Sequence, residues 1–371
     1  MKYKEVKEFL KNVYEKRLQF KEHAPAILLV GSTATSKSAL VREVGEEMKV
    51  PVVQIRTALT EPADLTGIPR PDATGTETVW LKPDWFPYTQ EQWNALGEEV
   101  KKQAVAIVNN TRKNGPNGII FFDEANRGPL ETLQAVFQIL SDYKVHCHVL
   151  PKGYIIVGAI NPGSLYQTTD VDQAFWTRWV QIKMDFDEHQ ALAYAVEQGY
   201  DEKFIQFLAA SPHLLTIKES FDLETFHNWR GWNFLGELAK LKCIPEGSET
   251  EIAAGCVGKE GATAWVRFND KSYKRPIPGT GILSEYSKYK KEIKDTPMDS
   301  LIFTINEIIA YANSSRMKPS YINNLIEFVK DIKSEARIVL VKQLNSNIIA
   351  KMGQDPELKD KINEDLKSIG R

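Results

Sequence analysis

AILLVGSTATSKSAL, residues 26–40, is the stretch from which the fold follows. Ala26–Gly31 is a short continuous apolar run, the pattern of a strand buried on both faces. Residues 37–48 carry a helical pattern. GSTATSKS (31–38) therefore lies where a buried strand ends and a sheet-covering helix begins. Backbone N–H groups in such a turn, with the helix N-terminus, can surround phosphate; Lys37 would reach the β/γ oxygens and Ser38 would hold Mg2+. The strict pattern is G-x-x-x-x-G-K-[ST]. Here Ser36 replaces the second glycine, and Ala34 stands at a loop position often held by another. On pattern alone, a strand-to-helix turn rich in Ser, Thr and Lys also has bland explanations.

The neighbouring sequence extends the pattern. MKYKEVKEFLKNVYEKRLQF (1–20) reads as an amphipathic helix with Val6, Leu10 and Val13 or Tyr14 on one face. PVVQI (51–55), IIFF (119–122), YIIVGAI (154–160) and WVQIKM (179–184) are further strand candidates. Helices are expected at about 96–111 and 129–140, and hairpins near 77–83 and 143–153. Strands alternating with helices imply an α/β, αβα core with a mostly parallel five-stranded sheet. Residues 186–245 read as helical, Gly, Thr and Ser break the pattern at 246–282, and 283–371 is again mainly helical.

IIFFDEANR (119–127) delivers two adjacent acids at the C-terminal end of a strand, where ligands bind in open α/β sheets. Asp123 would support Mg2+ and Glu124 would polarise an attacking water. An Asp-Glu helix cap is the plain alternative, and it accounts for one acid better than for two. Asn161, in YIIVGAINPG (154–163), closes the next strand at the same edge, within a turn-forming Asn-Pro-Gly.

The 371 residues allow two or three domains. With 42% hydrophobic and 26% charged residues the chain reads as globular, not disordered. A net charge of −2 gives no support to a generally basic nucleic-acid binder. The charge is uneven: 29 Lys/Arg against 36 Asp/Glu over residues 1–270 (net −7), and 18 against 13 over 271–371 (net +5). Three scattered cysteines suit a reducing compartment and make neither a disulfide scaffold nor a four-thiolate zinc site. With no signal-like or membrane-spanning run, a cytoplasmic location is the expectation.

Together these motifs resemble an AAA+ ATPase, more narrowly the MoxR branch, related to the ATPase subunit of magnesium chelatase. That branch has D-E-I-N-R, matched by Asp123-Glu124-Ala125-Asn126-Arg127, and D-L-x-G, matched by Asp64-Leu65-Thr66-Gly67. Asn161-Pro162 matches its strand ending in Asn-Pro. Arg178-Trp179 matches an arginine-finger signature whose acid is Thr177 here, and Arg230 and Trp232 align with a Pro-Arg-x-Trp sensor motif whose proline is Trp229. The resemblance covers about residues 26–245. It implies a P-loop NTPase core, here with an N-terminal helix and two hairpin insertions (1–185), and a helical lid (186–265); beyond it the sequence itself reads as a basic, mainly helical extension (266–371). It further implies ATP and Mg2+ as ligands and a homo-oligomeric, hexameric ring. Gly31, Ser32, Thr33, Ala34, Thr35, Ser36, Lys37, Ser38 and Ala39 would hold nucleotide, with Ser38 and Asp123 at the metal. Glu124 would activate water, Asn161 sense the γ-phosphate, Arg178 complete a neighbour's site, and Arg230 couple the lid to nucleotide state. ATP hydrolysis at protomer interfaces would remodel or assemble a protein client.

A methyl group at Ala34 predicts weaker nucleotide binding or a different loop shape, and slow turnover. Two alternatives stay open: a nucleic-acid motor or packaging factor, and a non-hydrolysing nucleotide-binding assembly protein. His146 and His148 share a strand face, yet two ligands do not define a metal site. In the tail, Ile322, Leu325, Ile326, Val329 and Ile332 form a helical stripe suited to core packing.

Overall fold

The computed structural model describes residues 1–98, 116–162, 173–216, 225–270 and 275–369. The helix expected at about 96–111 lies almost wholly outside these residues. The chain divides into two compact units, Met1–Phe186 and Asp187–Arg371.

The first unit is built on five strands: β1 (Ala26–Val30), β2 (Val52–Arg56), β5 (Asn117–Asp123), β8 (Gly153–Ile160) and β9 (Trp179–Lys183). They pair in the order β2-β5-β8-β1-β9, and every pairing is parallel. Side chains alternate between the two faces of each strand, so an apolar run supplies two cores at once. Ile27, Leu29, Ile119, Phe121, Ile155 and Val157 face one cluster with Val6, Leu10 and Tyr14 of α1 (Tyr3–Lys16) and Leu40, Val41 and Val44 of α2 (Lys37–Met48). Leu28, Ile120, Phe122 and Ile156 face the other, with Val136, Ile139 and Leu140 of the helix Leu130–Asp142. The result is an αβα sandwich around a parallel five-stranded sheet.

Two small antiparallel ribbons decorate this core: β3 (Pro69–Pro71) with β4 (Thr78–Trp80), and β6 (Lys144–Val145) with β7 (His148–Val149). They meet through Trp80, whose ring stacks on His146 at 3.6 Å between centroids while its carbonyl lies 3.0 Å from Nε2 of His148. Both histidines are thus engaged in packing the ribbons. Among the described residues, no three His, Cys, Asp or Glu side chains are grouped to hold a metal ion.

Among the described residues of Asp187–Arg371, every regular element is a helix. The helix Met298–Ala312 packs on Glu188–Gln198 and Glu202–Ala210, so the segment read as an extension shares its core with the segment read as lid. One expectation is corrected here. Instead of a break over 246–282, a helix runs from Glu249 to Asn269, kinked at Gly258, where φ is +73°. A Cβ there would come within 2.2 Å of the Thr225 carbonyl, so the kink and the close approach both require glycine. Of the tail stripe, Ile322, Leu325, Val329 and Ile332 are buried, joined by Phe328. Among the described residues no helix is long and apolar enough to cross a membrane.

Candidate functional site at the carboxyl edge of the sheet

The strand order creates one distinctive position. After β1 the chain crosses to the far edge at β2 and returns through β5 to β8, then passes over β1 to β9. Connections leaving β1 and β8 therefore diverge, which opens a crevice at their carboxyl ends, the usual place for a ligand in such sheets. The loop Gly31–Ser36 follows β1, and Asn161 follows β8. Asp123 ends β5, the neighbour of β8.

Lys37 is the hub. Its ammonium donates to the Gly31 carbonyl (2.8 Å), the Ser32 carbonyl (2.9 Å), Thr35 Oγ1 (3.2 Å) and Asn161 Oδ1 (2.7 Å). Only 7% of the residue is exposed, and a buried cation is tolerable when oxygen acceptors surround it this closely. Thr35 Oγ1 in turn donates to the Ser32 carbonyl at 2.8 Å, so the loop closes on the lysine. Gly31 admits no larger residue: a Cβ would lie 2.9 Å from the Met184 carbonyl.

The two positions where the phosphate-loop pattern prefers glycine both adopt left-handed backbone, Ala34 at φ +65° and Ser36 at φ +62°. Each costs an L-residue on the order of 1–2 kcal/mol. The loop holds its shape without the glycines, and Lys37 and Asn161 are among the contacts that keep it there.

Next to the lysine, Ser38 Oγ donates to Asp123 Oδ2 at 3.0 Å. Asp123 Oδ2 also accepts from Gln54 Nε2 at 2.7 Å, and Gln54 Oε1 accepts from Arg42 Nη2 at 2.9 Å. Glu124 has φ +56°. Its carboxylate pairs with Arg127 (Nη1 to Oε1, 3.0 Å), and its carbonyl accepts from the hydroxyl of fully buried Thr57. Ala125 N donates to the Ala159 carbonyl at 3.0 Å, tying the acidic turn to β8.

Lys37, Ser38, Asp123 and Asn161 are thus brought together, with Glu124 adjoining Asp123 and paired to Arg127. Arg178 is not among them. It immediately precedes β9, and Trp179 pairs with Ala26 at the opposite, amino-terminal rim of the sheet. Five strand residues, about 16 Å, separate that rim from the loop. There Arg178 is exposed, donates from Nε to Ser141 Oγ at 3.2 Å and lies over the Phe137 ring at 5.3 Å. Arg230 belongs to the second unit, exposed in the first turn of the helix Trp229–Lys240, with Asn228 as its N-cap. In the same helix Trp232 is fully buried and donates from Nε1 to the Leu214 carbonyl at 2.8 Å.

Gln54, Arg42 and Thr57 take part in this arrangement without having stood out in the sequence; Arg127 was read only as part of the acidic motif, with no role assigned. Gln54 and Thr57 are ordinary residues around the end of a strand, and nothing local ties either to an acid more than sixty positions later.

The oxygen-rich chemistry of the site suits a nucleotide with Mg2+. One hydroxyl and one carboxylate already in contact are hard donors of the type Mg2+ takes when substrate phosphates complete its shell. The buried ammonium, held by the Gly31 and Ser32 carbonyls and Asn161 Oδ1, can exchange such neutral acceptors for phosphate oxygens.

No protein-family model matches the chain, and no curated protein matches it in sequence. Among solved structures, a RuvB mutant from Thermotoga maritima is 12% identical, covering 86% of this chain and 88% of its own, with a TM-score of 0.35. A "putative ATPase" from Cytophaga hutchinsonii is also 12% identical, covering 98% and 88%, with a TM-score of 0.34. At these values the likenesses add no weight to what the strand order and the site already show.

Proposed function

We propose that this chain is an ATP-hydrolysing, ring-forming ATPase of the AAA+ class and MoxR type, acting on a protein client. The observation that carries the reading is the convergence of Lys37, Ser38, Asp123 and Asn161 at the divergence point between β1 and β8. Mg2+, held through Ser38 and Asp123, would neutralise phosphate charge.

The chain's own residues account for the rest. The loop 31–36 and the N-terminus of α2 present backbone N–H groups to phosphate. Lys37 exchanges its carbonyl and Asn161 partners for phosphate oxygens, which frees the Asn161 amide to report on the terminal phosphate. Glu124 turns from Arg127 to accept a proton from water. Stabilisation of charge by preorganised donors supplies most of the rate. Arg178 lies at the rim opposite its own loop, which supports a role in trans, at a neighbouring protomer of a hexameric ring. Arg230 answers to nucleotide from the helical unit.

The basic excess of the last hundred residues is partly tied in ion pairs, which favours a protein client over nucleic acid. Lys330 meets Asp355 at 2.9 Å and Glu357 at 3.3 Å, Lys361 meets Glu357 at 3.0 Å, and Lys290 meets Asp331 at 2.9 Å.

ATP turnover by the wild type, Lys37→Ala and Glu124→Gln, with and without DNA, tests the reading. Turnover indifferent to DNA and lost in both variants is expected. Tight ATP binding without turnover in the wild type would leave a nucleotide-binding assembly protein instead, and strong stimulation by DNA a motor. Sizing with and without ATP tests the ring; a monomer in both conditions would remove the trans role of Arg178.

A further inference from the structure

We infer that Gln54 is a positioning residue for Asp123, and that Arg42 fixes the sense in which it acts. The inference rests on reading Ser38 and Asp123 as the Mg2+ side of a nucleotide site. Gln54 lies on β2, the edge strand, and β2 pairs with β5 so that Arg56, not Gln54, stands directly opposite Asp123. Gln54 shares the face of Arg56, two residues earlier, and its long side chain reaches diagonally to the acid, as cross-strand pairs of this offset allow. The contact is short, 2.7 Å from Nε2 to Oδ2.

The two ends of the amide are distinguished by chemistry. A guanidinium only donates, so the atom that meets Arg42 Nη2 at 2.9 Å is the amide oxygen. A carboxylate only accepts, so the atom that meets Asp123 is the amide nitrogen. No other side chain of this length and shape satisfies both neighbours. Glutamate would suit Arg42 and place a second carboxylate on Asp123; methionine would suit neither. Oδ2 of Asp123 therefore receives two donors, from Ser38 on one side and Gln54 on the other. The carboxylate plane is held, and its position no longer depends on Ser38 alone. When the Ser38 hydroxyl turns to an ion, Gln54 remains to keep Asp123 in place. Partners of this kind, one shell out from an ion, commonly set its affinity by tenfold or more.

The test is titration of the full chain with a fluorescent ADP analogue, with and without Mg2+, for the wild type, Gln54→Met and Arg42→Met. In Gln54→Met the Mg2+ concentration that half-saturates the effect on nucleotide binding is expected to rise about tenfold, with Mg2+-free affinity unchanged. Arg42→Met frees the amide to rotate and is expected to move the same midpoint in the same direction by less. Arg42 is exposed, so that variant stands even if the strand substitution folds poorly. An unchanged Mg2+ midpoint in both variants overturns the inference. So does an equal loss of affinity with and without Mg2+, which marks a general structural role. If the wild type binds no nucleotide under either condition, the ATPase reading itself fails and carries this inference with it. If the wild type shows the Mg2+ effect and the variants match it, only Gln54 is released from the role.

Discussion

The sheet edge of the first unit and the helical interior of the second both bury polar groups, and they satisfy them in opposite ways. At the sheet edge, Lys37 is bonded to loop carbonyls and to Asn161, beside three non-glycine residues in left-handed backbone, Ala34, Ser36 and Glu124. Each partner there sits on a loop or a strand end. In the second unit, Glu307 is 2% exposed and accepts from the backbone N–H of Gly279 at 2.7 Å and of Thr280 at 3.4 Å. Arg337 donates to the Val329 and Ile332 carbonyls and to Asp365 Oδ2 at 2.6 Å. These partners are helix ends and a buried acid, closed to solvent. Exchangeable partners on strained backbone mark a place where a ligand can enter. Fixed partners between helices mark a place where geometry is held.

The comparison can be broken most directly at Arg337. Arg337→Met removes the buried ion pair with Asp365 and the guanidinium's bonds to the Val329 and Ile332 carbonyls, and is expected to cost about 3–5 kcal/mol of stability. Urea unfolding measures it; a loss below about 1 kcal/mol would mean that the interior pair is as exchangeable as the loop contacts.

Glu307 gives the next effect. Burial pushes its carboxyl up to about 7, against the lowering influence of the two N–H donors. The folded chain therefore retains a proton that the unfolded chain releases near the ordinary value of 4.5. Stability from this group is fully present below about pH 4.5 and is lost as pH rises through about 7, by about 3 kcal/mol in total. Glu307→Gln keeps an acceptor and is expected to flatten that stretch of the stability-versus-pH curve. A variant curve parallel to the wild type would remove Glu307 as its source.

Lys37→Ala is expected to lower ATP turnover about a hundredfold, equivalent to about 2.7 kcal/mol, while changing unfolding free energy by less than about 1 kcal/mol. The stranded loop carbonyls can turn to water, unlike those around Arg337. Equal losses in turnover and stability would erase the distinction between the two regions.

The smallest effect concerns the loop backbone. Ala34→Gly removes the left-handed penalty but adds freedom to the unfolded chain, so a net stabilisation below about 1 kcal/mol is expected in the same unfolding assay. A destabilisation would show that the methyl group packs usefully where it stands.

Much of this was readable in one dimension. Val6, Leu10 and Tyr14 line the buried face of α1, and the apolar runs at 26–30, 119–122 and 154–160 all lie in central strands, because burial on both faces leaves no room for polar alternation. The helix Glu249–Asn269 was not readable, since its glycines suggest a break and only packing against Thr225 makes Gly258 a kink inside a helix. Gln54 was equally hidden, because a glutamine in a strand has no local signature of the acid it will meet.

Local chemistry therefore determined the residue types at the site: a lysine and serine after a buried strand, two acids after another, an asparagine after a third. Each stands at a strand end, and periodicity alone places strand ends. Which of them meet was decided by the tertiary structure. The order β2-β5-β8-β1-β9 sets Asn161 beside Lys37 and Asp123 beside Ser38, sends Arg178 to the opposite rim, and adds Gln54 from the edge. The physical reason is that strand order depends on how the covering helices pack, a long-range choice that no short stretch of sequence contains.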